Sequence, residues 1–215
     1  MPVQDFVKLP SCRNYYCSNL NYPIDNHICH HHDHNNTYKT LRVAPSLVLS
    51  KLAAEHLARS HFLENHLPIV ILRYFNVYGP RQTGEGAMHN FVANAVRDKP
   101  LTVFGDGLEI RAWCYINDAV AGTLLAASNT EAVGEAINIG TPETATTVTA
   151  LAKMVVQILG SKSRILFARK RFTDVELRIP DIGLATKILG YRPRVALIEG
   201  ITRTGEWYRE HPEAV

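Results

Sequence analysis

Pro68-Ile69-Val70-Ile71-Leu72-Arg73-Tyr74-Phe75-Asn76-Val77-Tyr78-Gly79-Pro80 is the stretch on which the fold turns. Its run Ile69–Phe75 is short, apolar and β-branched, the composition of a parallel strand covered on both faces. Just ahead, Ala54, Leu57, Ala58 and Phe62 recur at helical spacing, so Ser50–His66 reads as an amphipathic helix. Beyond the stretch, Ala87, Phe91 and Ala95 mark a second helix. Leu101–Phe104 is a strand that stops at the turn Gly105-Asp106-Gly107.

The same alternation continues to the C-terminus. Arg111–Ile116 reads as a strand, then a helix over 118–128 with Val120, Leu124 and Ala127 on one face and Asp118 as its cap. Ala136–Ile139 is a short strand ending at Gly140. Thr146 or Thr147 can cap a helix whose apolar face is Val148, Leu151, Val155 and Ile158, with Gly160 closing it. Asp181 then caps Ile182–Leu189, Gly190 ends that helix and Pro193 follows; a last helix runs from Leu197 to Glu210. Strands alternating with helices in this way define an α/β protein.

Residues 1–45 are of another kind. They carry Asn, Tyr, Cys and His without a period, and only a weak strand around Thr40–Val43 is expected. Cys29, His30, His32 and His34 offer zinc-type donors, but their spacing matches no closed site of the two-Cys, two-His kind. A polar segment with adventitious metal affinity is the expectation, and no metal is assigned.

The bulk properties remove several function classes. A net charge of +3, with no basic block longer than Arg169-Lys170-Arg171, is too little for a nucleic-acid face. No apolar run approaches the ~18 residues that cross a bilayer, and no leader pattern opens the chain. Cys12, Cys17, Cys29 and Cys114 are too scattered for a disulfide framework. A cytoplasmic protein is expected.

Six segments together resemble the extended short-chain dehydrogenase/reductases, the NAD-dependent epimerases and dehydratases of nucleotide sugars. They are Ser50-Lys51-Leu52-Ala53-Ala54-Glu55, Leu72–Pro80, Pro100–Gly107, Arg111–Asp118, Ile137–Gly140 and the tail Leu189–Pro193 with Glu199-Gly200. The resemblance implies part of a doubly wound, Rossmann-like sheet, its C-terminal strands, joined to a smaller substrate-binding domain. It divides the chain into residues 1–45, with no match, and 46–215, the family's C-terminal portion.

The resemblance also implies NAD and a nucleotide-diphosphate sugar such as a UDP-, dTDP- or GDP-sugar. In the family a Tyr four residues before a Lys exchanges a proton with the sugar hydroxyl while hydride moves to nicotinamide. The Lys favours the phenolate and holds the nicotinamide ribose. Lys51 matches that Lys, but Leu47 stands at the Tyr position and cannot carry a proton. Residues 1–45 contain no glycine, so they cannot form the glycine-rich turn that approaches a pyrophosphate. On the substrate side the resemblance assigns Asn76 to the sugar or diphosphate and the strand ending at Phe104 to base and ribose. It assigns Arg111 to the diphosphate, with Arg178 and, less readily, Arg171 as further cations. Alternatives remain for each: a turn cap for Asn76, a surface ion pair for Arg111, and a solvent-facing helix lysine for Lys51.

Three readings of function follow: a nucleotide-sugar-modifying enzyme of this family, defective in hydride chemistry as this chain; a non-catalytic nucleotide-sugar-binding module; or a truncated, inactive product. An uncovered edge at strand 69–75 is expected to favour a homodimer or other association.

Overall fold

The computed structural model describes residues 45–84, 86–170 and 176–214, and for 45–48 the backbone alone. The histidine cluster, the strand expected near Thr40–Val43 and Arg171 lie outside the described residues.

Helix α1 spans Pro45–Asn65 and so begins five residues earlier than its apolar spacing predicts. Proline suits a first helical turn, where its missing N–H costs nothing. The helix stops where His66 takes a positive φ of 54° and Pro68 forbids continuation. Its covered stripe is not the expected Ala54, Leu57, Ala58 and Phe62. Leu57 is 61% exposed, and the half-buried positions are Lys51, Leu52, Glu55, Ala58, Ser60 and Phe62. A charged contact described below takes the inward position that apolarity alone would have given to leucine.

Strand β1 (Ile71–Tyr74) runs parallel to β6 (Ala136–Ile139), with Ile71 opposite Ala136 and Arg73 opposite Asn138. Between them in sequence lies most of a second unit. Strand β2 (Val77–Tyr78) is followed by α2 (Ala87–Ala95), β3 (Leu101–Phe104), β4 (Ile110–Arg111), β5 (Cys114–Tyr115) and α3 (Ile116–Ser128). After β6 come β7 (Thr146–Thr147), α4 (Val148–Leu159), β8 (Ile165–Ala168), β9 (Leu177–Arg178), α5 (Gly183–Leu189) and α6 (Leu197–Glu210).

The single strand expected over Arg111–Ile116 is two strands with different partners. Strand β4 joins a three-stranded ladder, antiparallel to β7 and parallel to β9, whereas β5 pairs in parallel with β2. Ala112 and Trp113 carry the chain from one ladder to the other. Strand β3 pairs in parallel with β8.

Two apolar clusters hold these layers. One gathers Phe91, Val92, Leu101, Val103, Leu151, Val155, Ile201 and Tyr208 between α2, β3, α4 and α6. The other gathers Ala119, Ala126, Ile137, Ile139, Ala185, Leu189 and Tyr191 around β6, α3 and α5. Helix α3 meets its cluster through small residues. Val120 and Leu124, the expected inner face, are 47% and 64% exposed, while Ala119, Gly122 and Ala126 are buried. A Cβ at Gly122 would lie 2.8 Å from Ile139, so the close approach of helix to strand selects glycine over a larger apolar residue.

Asp118 does not cap α3. It lies inside the first turn, and its carboxylate accepts the backbone N–H groups of Arg194 (2.9 Å) and Val195 (3.0 Å). The tail leading to α6 is thereby fastened to the start of α3. Thr147 does cap α4, accepting from Ala150 N at 3.1 Å, and Gly160 closes that helix in the left-handed region. Asp181 accepts from Gly183 N at 2.8 Å just ahead of α5, which starts one residue later than expected.

Candidate nucleotide-sugar site

Asn76 stands two residues after β1 with φ 39°, a conformation that asparagine tolerates better than most residues. Both ends of its side chain are engaged. Nδ2 donates to Ala112 O at 2.8 Å, and Oδ1 accepts from Arg178 Nη1 at 3.4 Å. Its backbone carbonyl accepts from Cys114 N, so Asn76 ties β1 to both ladders at once. Half-buried, it acts as a joint between the strands.

Arg111 and Arg178 are direct partners in the parallel pair β4–β9, side by side on one face. Like charges in that position repel unless the surroundings compensate. Part of the compensation is backbone: Arg111 is 4% exposed, and its Nη1 donates to Ile110 O (2.8 Å) and Glu176 O (3.2 Å). The pair forms a rigid double-cation element of the kind that receives a diphosphate.

Phe104 closes β3 and leaves 49% of its surface exposed, in register with Ala168 of β8. The turn after it is held in the left-handed region by Gly105 (φ 77°) and Gly107 (φ 67°). Asp106 Oδ1 accepts from Leu108 N, and Thr149 N donates to Gly107 O, pinning the turn to α4. Lys170 and Glu109 form an ion pair beside Gly105, which sequence reasoning missed. An exposed flat ring next to a fixed glycine turn and a cation suits a heterocyclic base.

Lys51 lies on α1, half-buried and without a hydrogen bond or ion pair among the described residues. No described contact joins it to Asn76, Arg111 or Arg178. Leu47 lies on the first turn of the same helix, one turn before Lys51. Burial pushes the hydroxyls of Tyr78, Tyr191 and Tyr208 above the usual tyrosine value, so each keeps its proton. Burial likewise raises the Cys114 thiol, which removes it as a nucleophile at neutral pH. Among the described residues no group of three His, Cys, Asp or Glu side chains could hold a metal ion.

Arg73 was also missed. It is 1% exposed, and its guanidinium grips Glu55 of α1 with two bonds, Nε to Oε1 at 2.8 Å and Nη2 to Oε2 at 2.5 Å. An arginine inside an apolar parallel strand has to bring a counter-charge with it, and that was the available signal.

The NAD dependent epimerase/dehydratase family matches residues 30–140, and the chain belongs to that family. The match starts inside residues 1–45. The chain is 36% identical over 154 residues to an uncharacterised UDP-glucose epimerase of Bacillus subtilis, covering 72% of this chain and 48% of that one. It is 31% identical over 180 residues to a UDP-N-acetyl-α-D-glucosaminuronate decarboxylase of Bacillus cytotoxicus, covering 80% of this chain and 55% of that one. A UDP-glucuronic acid 4-epimerase of Bacillus cereus, solved with UDP-glucuronic acid and NAD, superposes with a TM-score of 0.72 at 35% identity. That superposition covers 77% of this chain and 52% of the epimerase. The chain thus spans about half the length of the relatives it matches. Its fold is α/β with parallel strands, shared with nucleotide-sugar epimerases and dehydratases.

The family depends on NAD, and the described residues fit that cofactor poorly. Among the described residues no glycine-rich turn joins a strand to a helix N-terminus in the way a pyrophosphate requires. No chemical step is therefore derived through the dinucleotide. No helix among the described residues is long and apolar enough to cross a membrane.

Proposed function

We propose that this chain holds a UDP- or dTDP-sugar and, by itself, does not carry out the family's hydride step. The observation that carries the reading is the register of β4 on β9, which sets Arg111 and Arg178 side by side with Asn76 fastened between the ladders. The two guanidinium groups bind the diphosphate. Phe104 and the Gly105–Gly107 turn receive the base, and the family resemblance assigns Arg171 as a further cation. Asn76 orders the site more than it contacts the sugar, since both ends of its side chain bond within the protein.

Two features support the absence of turnover: Leu47 at the proton-transfer position and the lack of glycine in residues 1–45. Lys51 is then an active-site lysine without its tyrosine. The binding-module reading is favoured because Arg111 and Arg178 lie side by side while Leu47 stands where the family has tyrosine. The setting is taken to be cytoplasmic.

Calorimetric titration of the full chain with UDP-glucose, UDP-glucuronic acid and dTDP-glucose tests this. Removing one partner of a charged hydrogen bond costs ~1.5–3 kcal/mol, so Arg111→Ala and Arg178→Ala should each weaken binding roughly tenfold or more. Unchanged affinity in both variants would remove the site assignment.

A further inference from the structure

We infer that Arg73, acting through Glu55, is a positioning residue for Lys51; this rests on reading Lys51 as the active-site lysine. Three observations combine. Lys51, Glu55, Ala58 and Phe62 lie at spacings of three and four on the half-buried side of α1, so Lys51 and Glu55 share one face one turn apart. Glu55 is turned inward and gripped by two bonds from Arg73, a buried residue of β1. Lys51 has no ionic partner among the described residues.

A carboxylate four residues from a lysine on one helix face normally pairs with it. Here Arg73 takes both carboxylate oxygens, so Glu55 does not neutralise Lys51. The grip also sets the rotation of α1 about its axis. A planar, two-pronged contact to a strand leaves the helix little freedom to roll, and Lys51 faces the direction that Glu55 faces. Arg73 therefore does two things for Lys51: it aims the ammonium and keeps it uncommitted. Arg59, four residues after Glu55, is exposed and off the inward stripe. A released Glu55 turns to Lys51.

Competitive acetylation of the full chain with isotopic acetic anhydride, read by peptide mass spectrometry, measures this without cofactor or substrate. Exposed Lys153 serves as internal reference. In Arg73→Met the acetylation of Lys51 relative to Lys153 should slow by roughly 1.5- to twofold, because an i,i+4 ion pair now holds its proton. The double variant Arg73→Met/Glu55→Gln should return to the wild-type rate. Arg73→Lys keeps the charge but loses the fork, so it should fall between and serves if Arg73→Met does not fold. An unchanged rate in both single variants would overturn the inference. So would a faster rate with lost amide protection at 71–74, which would make the pair a fold brace only. A failed nucleotide-sugar or NAD titration leaves this readout intact, so the two readings fail separately.

Discussion

Replacing Asp118 by alanine removes a buried carboxylate that accepts two backbone N–H groups, from Arg194 and Val195, at 2.9 and 3.0 Å. Asp118 is 5% exposed, so water does not readily replace what is lost. A hydrogen bond to a charged group contributes ~1.5–3 kcal/mol, and two sharing one carboxylate do not add fully. A destabilisation of about 3 kcal/mol is expected. For a chain of this length that lowers the melting temperature by roughly 6–12 °C. The assay is paired thermal and urea unfolding, with the urea slope checked for constancy so that the midpoint shift reports stability. Asp118→Asn keeps one acceptor oxygen and should lose about half as much. The helix-cap reading makes a different forecast. A cap on α3 contributes about 1 kcal/mol, and asparagine, an equally good cap, would restore nearly all of it. A full rescue by asparagine, or an alanine loss under about 1 kcal/mol, would refute the tail-fastening role.

Other outcomes test other parts of the structure. Gly107→Ala should cost about 2 kcal/mol or more in urea unfolding, since φ 67° is strained for alanine and the new Cβ would lie 2.6 Å from Val103 Cγ1. Asp98 is held below the usual carboxylate range by the Lys162 N–H and then by the Ser161 hydroxyl. Its folded value lies below its unfolded one, so its contribution is present above the ordinary carboxylate value and is lost as pH falls through the depressed value. The stability gap between wild type and Asp98→Ala should therefore narrow on acidification, and a gap that does not change with pH would count against it. Leu47→Tyr, assayed with added NAD and a UDP-sugar, should show no turnover. Measurable epimerisation would mean that residues outside the described ones supply a cofactor site.

Much of the local structure was open to reading from residue order alone. The strands at Leu101–Phe104 and Ala136–Ile139 and the helix Leu197–Glu210 have the bounds that alternation, turn glycines and periodicity indicate. The Thr147 cap and Gly160 close follow from side-chain chemistry within one helical turn. The family resemblance rested on short strings, each local. Failures came where a distant partner decides. Arg111–Ile116 looks like one strand because strand propensity does not show that two halves pair with different neighbours. The apolar counts on α1 and α3 favoured leucines and valines. The inward positions instead went to Glu55, because Arg73 needed a counter-charge, and to Gly122 and its alanines, because Ile139 left no room for a Cβ.

The candidate site divides the same way. The family resemblance carried by the sequence could point to Asn76, Phe104, Arg111 and Arg178 for a nucleotide diphosphate, and to Leu47 as a residue unable to move a proton where the family has tyrosine. Only tertiary structure could decide that Arg111 and Arg178 face each other across one ladder and that Asn76 spends its amide on Ala112 and Arg178. Only it could show that Glu55 belongs to Arg73 and leaves Lys51 alone. Hydrophobic pattern and turn chemistry act over a few neighbouring residues and are written in their order. Pairing of charges and register of strands depend on residues 18 to 102 positions apart, and only the folded chain brings them within bonding distance.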